Sequence, residues 1–267
     1  MKSKLIALDI DGTILDRYVG LSVPPAVKEA VRDARKAGAR VCLCSSRPRF
    51  IMEDAFSGLE EIDALISYSG AMIELLADRR QLFAGALPRL LSLACFEIAK
   101  ELDFYLSYAG EEKIFVCKRG PKAPPVADDP LFAIMDEDAL LDMLNRDAEL
   151  LFSSFIFTKP GMLDETVTTK PGLAEASICK TGGSCLIITD KGTDKGTAVL
   201  RLAAHWDIPR EAILAVGNDE NDIPMLRVAG VGVAVANASP EALAAADWIA
   251  PGVASAGAAE AIRRYAL

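Results

Sequence analysis

Four short stretches of this 267-residue chain carry side chains that could act together on one substrate. LDIDGT places Asp9 and Asp11 two positions apart, roughly 7 Å along an extended chain. Two carboxylates that close repel one another unless a cation neutralises them, although each alone is an ordinary turn or cap residue. VCLCSSRPR groups Ser45, Ser46 and Arg47, where the serines either cap a helix or face an anion. The short repeat DKGTDKGT (190–197) offers Lys191 and Lys195, the second at an apparent helix start. An ammonium sits at the wrong end of the helix dipole there, and a neighbouring anion or carboxylate cluster would explain it. GNDEND (217–222) sets Asn218, Asp219, Glu220, Asn221 and Asp222 between the apolar AILAV and IPML. Gly, Asn and Asp are also the common residues of tight turns, so this stretch alone is either a polar turn or part of a cation site.

These stretches matter jointly only if strands deliver them to one edge, because ligands of open α/β sheets bind beyond the carboxyl ends of the strands. KLIALDI, ARVCLCSS (39–46) and DALISYS (63–69) read as buried strands. Their apolar runs are continuous rather than alternating, as in a parallel sheet covered on both faces. A helix is predicted over 24–37, with Pro24 and Pro25 at its start and Gly38 just past its end. From about residue 84 the pattern changes. FYLSYAGEEKIFVCK (104–118) predicts two strands joined at Ala109–Glu112, GPKAPPVADDP (120–130) an irregular connection, DEDALLDMLNR (136–146) an amphipathic helix and ELLFSSFIF (149–157) a strand. Strand–helix alternation is expected to resume with SCLIITD (184–190) and GTAVLRLAAHW (196–206). It continues through AILAVG, NDIPMLRVA, VGVAVA, a helix from Pro240, DWIA and a last helix. The expected fold class is α/β: a doubly wound, parallel-sheet, Rossmann-like core formed by residues 1–83 and 187–267, with an α+β domain inserted at 84–186.

The bulk properties narrow the chemistry. A net charge of −9 gives no broad basic patch for nucleic acid, so no nucleic-acid partner is expected. The longest apolar runs, such as VGVAVA (231–236), are far short of a membrane span, and the amino terminus meets an acid too early for a secretory signal. No membrane association and a cytoplasmic location are therefore expected. Six cysteines form no CxxC pair and read as reduced, packed thiols. His205 is the only histidine, and no GxSxG elbow accompanies it, which argues against a Ser-His-Asp hydrolase. No GxGxxG follows the first strand, which argues against a nicotinamide-dependent dehydrogenase. Oxygen donors without histidine or thiolate suit a hard cation, Mg2+ above all. Carboxylate, Mg2+, lysine and hydroxyl together describe phosphoryl transfer.

The motifs LDIDGT, a strand ending in Ser before Arg, Lys-Gly at a helix start, and G-N-D-E-N-D followed by IPML occur in an order that resembles the haloacid dehalogenase-like (HAD) phosphatases. The insertion between the second and third motifs resembles the Cof-type subgroup with a C2-type cap. The resemblance implies that Asp9 is the nucleophile that forms an aspartyl-phosphate and that Asp11 is the acid, then the base. Ser45 and Lys195 hold the phosphoryl group, with Ser46, Arg47 and Asn221 beside the substrate. Mg2+ is implied at Asp9, the Asp11 carbonyl, Asn218, Asp219 and Asp222. Two positions depart from the family pattern: Asn218 stands where a carboxylate is usual, and Ser46 where glycine is common. The first removes a negative charge from the metal site, unless Asp219 replaces it. The function implied is a Mg2+-dependent phosphatase of a small phosphate ester, with a sugar phosphate favoured, acting as a monomer or homodimer. A phosphomutase or phosphotransferase, or a non-catalytic binding protein on the same fold, are the rival readings. Substrate choice is expected to lie with the inserted domain, in loops near 110–112, 119–122 and 159–164.

Overall fold

The computed structural model describes residues 2–15, 22–55, 59, 61–117, 129–157 and 165–267. The chain divides into two compact units, one made of Met1–Phe83 with Asp194–Leu267 and the other of Ala84–Thr193.

The first unit is built on an eight-stranded sheet among the described residues. Its strands are β1 (Leu5–Leu8), β2 (Arg40–Cys44), β3 (Ala64–Ser67), β4 (Met72–Leu75), β5 (Arg80–Ala84), β12 (Ile213–Gly217), β13 (Val231–Ala234) and β14 (Trp248–Ile249). The order across the sheet is β14-β13-β12-β1-β2-β3-β4-β5. All pairings from β14 to β3 are parallel, and β4 turns back antiparallel on β3. The helices of this unit are α1 (Pro25–Lys36), α2 (Arg49–Ala55), α6 (Lys195–His205), α7 (Ile223–Val228), α8 (Pro240–Ala245) and α9 (Ala254–Ala266).

Alternate residues of β1 enter different cores. Ile6 and Leu8 pack with residues of α1 and α9, whereas Leu5 and Ala7 pack with residues of α6, α7 and α8. Both faces of β1 are therefore buried, which explains its unbroken apolar run. The chain leaves β1 towards β2 and β3, and later returns on the other side of β1 at β12. That reversal is a topological switch point, where strand ends splay to leave a crevice. Asp9 follows β1 and Asn218 follows β12, so both stand at its mouth.

The second unit carries a six-stranded sheet among the described residues, in the order β10-β11-β9-β6-β7-β8. Its strands are β6 (Tyr105–Gly110), β7 (Ile114–Cys117), β8 (Phe132–Met135), β9 (Leu151–Phe157), β10 (Ala176–Thr181) and β11 (Cys185–Asp190). Helices α3 (Arg89–Leu102) and α4 (Glu137–Arg146) bury their apolar stripes with Leu106, Tyr108, Ile156 and Leu186, and α5 (Glu165–Thr168) is a single short turn. Asp136 caps α4 by accepting from Ala139 N at 2.8 Å.

Three local expectations are corrected. The third strand stops at Ser67 rather than Ser69, because Tyr68, Ser69 and Gly70 all take positive φ. The hairpin β4–β5 lies within a stretch for which no element was predicted. The strand at 184–190 exists, but it pairs antiparallel with β9 and β10 and belongs to the second unit, so that unit runs to Thr193 rather than 186. A fully buried run such as CLIIT looks the same in either sheet, since apolarity records burial and not the partner. Residues 120–128 of the predicted connection at 120–130, and the loops at 119–122 and 159–164, lie outside the described residues.

Candidate active site

Asp9 leaves β1 with its amide still on the ladder, donating to the Val216 carbonyl at 3.0 Å. The chain then folds tightly: Thr13, Ile14 and Leu15 all point their amides at the Ile10 carbonyl. Gly12 takes φ +84°, and a Cβ there would lie 2.4 Å from the Asn218 carboxamide. Glycine is required on both counts, and its absence of a side chain lets Asn218 reach the loop.

Lys195 is the first residue of α6, whose N-cap Asp194 accepts from Thr197 N at 2.8 Å. The residue is 1% exposed, and its ammonium donates to Asp9 Oδ1 at 2.7 Å and to Asp222 Oδ1 at 2.6 Å. Two carboxylates thus supply the anionic neighbour that a lysine at this helix end needs. Burial by itself would lower the lysine pKa, but Asp222 and Asp9 outweigh it and hold the ammonium above its usual value. Burial pushes the Asp9 carboxyl from 3.8 up to about 7, with Asp222 adding to the rise and Lys195 opposing it. The other lysine of the repeat, Lys191, pairs with exposed Glu175 instead.

The remaining Asp9 oxygen faces a second cluster. One end of the Asn218 carboxamide lies 3.1 Å from Asp9 Oδ2, 3.0 Å from the Asp11 carbonyl oxygen and 3.1 Å from Thr13 Oγ1. With its NH2 at that end, Asn218 donates to both acceptors. With its oxygen there, three oxygens crowd together, and either a proton on Asp9 or a cation between them relieves the repulsion. Spacings of 3.0–3.1 Å match adjacent corners of an octahedron whose metal–oxygen distance is about 2.1 Å, the Mg2+ value. The donor set mixes one carboxylate, one carbonyl and one carboxamide. No cluster of three or more His, Cys, Asp or Glu side chains suited to a metal occurs among the described residues.

Asp219 and Asp222 are placed differently from the expected ligand set. Asp222 spends Oδ1 on Lys195 and Oδ2 on the amides of Asn218 and Asp219, at 2.8 and 3.0 Å. Asp219 Oδ1 accepts from Glu220 N at 2.9 Å, so the two acids close a capping box over the turn at 220–222. Asp222 therefore braces Lys195 and shapes the loop that presents Asn218.

The second-motif residues form two further groupings. Ser45 Oγ accepts from Arg47 N at 3.1 Å, and Ser46 Oγ accepts from Asn221 Nδ2 at 2.7 Å. Arg47, expected beside the substrate, instead grips Asp11: Nε donates to Oδ2 at 2.8 Å and a terminal nitrogen to Oδ1 at 2.7 Å. That grip raises the guanidinium pKa further.

Two polar residues of the site escaped sequence reasoning. Thr13 lies inside the quoted LDIDGT and is fully buried against Asn218. Ser69 was read as a strand residue, yet Ser-Gly is a turn signal and it ends at this site. His205 is exposed at the end of α6 beside Trp206 and takes no part. None of the six cysteines forms a disulfide, and five of them are buried.

The family model of haloacid dehalogenase-like hydrolases matches residues 6–262. A phosphoglycolate phosphatase of Methanoculleus marisnigri is 28% identical over 98% of this chain and 96% of its own. Phosphatase YwpJ of Bacillus subtilis is 24% identical over 92% of this chain and 94% of its own. Among solved structures, the HAD subclass IIB sugar phosphatase BT4131 superposes with a TM-score of 0.83 at 22% identity, covering 98% of this chain and 99% of that one.

Proposed function

Because the chain belongs to the haloacid dehalogenase-like hydrolase family as a phosphoric monoester hydrolase, we propose that it is a Mg2+-dependent phosphatase. Its substrate would be a small phosphorylated metabolite, with a sugar phosphate the favoured class. The observation that carries this reading is the Asp9 carboxylate, with one oxygen on buried Lys195 and the other among the Asp11 carbonyl and Asn218. A phosphoglycolate phosphatase and a sugar phosphatase among the similar proteins support a small phosphate ester as the substrate class.

Mg2+ held by Asp9 Oδ2, the Asp11 carbonyl and Asn218 Oδ1 would offset the charge of the phosphoryl oxygens. An ionised carboxylate needs no base to act as nucleophile, so Asp9 attacks phosphorus directly. As that bond forms, the ester oxygen departs and takes a proton from Asp11. Lys195 balances negative charge on Asp9 and the phosphoryl group, while the Ser45 hydroxyl donates to a phosphoryl oxygen. In the second half, the Asp11 carboxylate takes a proton from water, and the water oxygen attacks phosphorus. The bond to Asp9 breaks, inorganic phosphate leaves and both carboxyl groups return to their starting states. Choice among esters falls to the inserted unit, residues 84–193, by the family resemblance.

The test is phosphate release from a panel of sugar phosphates, phosphoglycolate and an aryl phosphate, with Mg2+ and with chelator. The wild type and Asp9→Asn are compared. Release that needs Mg2+ and disappears in the variant supports the reading. An isomeric phosphate ester in place of inorganic phosphate would make the chain a mutase, and no turnover of any ester by folded protein would overturn catalysis altogether.

A further inference from the structure

The site leaves unexplained a strained turn that meets it from β3. Tyr68, Ser69 and Gly70 follow β3 with φ of 51°, 56° and 103°, and all three are buried. Left-handed conformation is sterically unfavourable for a non-glycine residue, and here two such residues stand in succession. Strain of this kind persists where surrounding contacts over-determine it, commonly at functional positions. The contacts are specific. Tyr68 N donates to the Arg47 carbonyl at 3.0 Å and Ser69 N to the Ser45 carbonyl at 3.1 Å. Gly70 presses on the carbonyl of Asp194, which a Cβ would meet at 2.3 Å, directly before Lys195. The turn is therefore a template that holds the 45–47 loop against the start of α6.

Its side chain adds a chemical consequence. Ser69 Oγ donates to Ser46 Oγ at 2.8 Å, and Asn221 Nδ2 donates to the same oxygen at 2.7 Å. A hydroxyl oxygen offers two lone pairs, and both are then occupied. The hydrogen of Ser46 is left to donate outward, on the side chain that is less buried than its two partners.

We infer that Ser69 is a positioning residue that turns Ser46 into a hydrogen-bond donor for the substrate's phosphoryl oxygens. This inference rests on the phosphatase reading and extends it. Ser46 is the position where glycine is common in the family pattern, so this chain adds a donor and, through Ser69 and Asn221, fixes its direction. Donors polarised by two incoming hydrogen bonds are stronger toward an anion than isolated hydroxyls.

The test is a double-mutant cycle with Ser69→Gly and Ser46→Gly. Glycine keeps the positive φ while deleting the hydroxyl, and Ser69→Asn tolerates that φ while restoring a donor. Aryl phosphate kinetics and calorimetric binding of inorganic phosphate with Mg2+ are measured on each. Ser69→Gly is expected to weaken phosphate binding and kcat/KM about tenfold in the wild-type background. In the Ser46→Gly background it should cost less than about twofold, because neighbours that act as a unit are not additive. Ser69→Asn should recover most of the loss. Equal losses in both backgrounds, or none in the first, would overturn the role of Ser69. Wild-type protein that binds phosphate but hydrolyses no ester would sink the phosphatase reading, while the binding cycle would still decide on Ser69.

Discussion

Arg47 holds both carboxylate oxygens of Asp11, at 2.7 and 2.8 Å, across 36 positions of sequence. The planar guanidinium fixes the plane and direction of that side chain in a way a point charge does not. The residue expected to shuttle the proton is thus aimed by this fork. Arg47→Lys is expected to keep the fold and lower kcat/KM roughly tenfold, since charge survives and the fork does not. The loss should be larger for an alkyl phosphate than for p-nitrophenyl phosphate, whose leaving group needs little protonation. Steady-state kinetics on both esters checks this. An equal loss on the two would place Arg47 on the phosphoryl group instead of on Asp11.

Lys195 lies between two buried carboxylates, so its removal leaves like charges without a cation. Lys195→Met is expected to cost about 3–5 kcal/mol of unfolding free energy at pH 8 without metal, and activity with it. The cost should shrink towards pH 5, where protonation of Asp9 relieves the repulsion. Urea titrations at the two pH values test the sign, and a cost that does not depend on pH would mean the pair is held together by packing alone.

The Asn218 carboxamide meets Asp9 Oδ2 and the Asp11 carbonyl at 3.0–3.1 Å. Asn218→Asp would put a second carboxylate against Asp9. Without metal this should lower Tm, and with Mg2+ it should raise affinity on the order of tenfold, since added ligand charge tightens hard-cation sites. Thermal melts and calorimetry in chelator and in Mg2+ read both effects. A variant more stable than wild type in chelator would contradict the oxygen cluster.

The Asp9 carboxyl, raised in the fold from 3.8 to about 7, predicts a specific pH response. Between those values the folded protein holds a proton that the unfolded chain releases. Stability from this group is therefore full below pH 4, falls as pH rises through about 7, and is absent above it. A cation on Asp9 displaces that proton. The gap in Tm between Mg2+-loaded and chelated protein should then widen from pH 5.5 to pH 8.5. A gap that narrows over this range would place the metal elsewhere.

Parts of the fold with a local signal were legible from residue patterning alone. Continuous apolar runs marked β1, β2 and β12, because a strand covered on both faces has no polar side to show. The motif residues Asp9, Ser45, Lys195 and Asn218 could be placed at strand or helix ends by counting from those runs. Tertiary structure decided what each side chain touches. The hairpin β4–β5 and the transfer of β11 to the second sheet depend on pairing between distant segments, which apolarity does not encode. Asp222 went to Lys195 and Arg47 to Asp11 because a charge removed from water takes the nearest opposite charge that geometry allows. Ser69 entered the site only because a strained turn after β3 reaches the loop after β2, a contact that forms only once the parallel sheet exists.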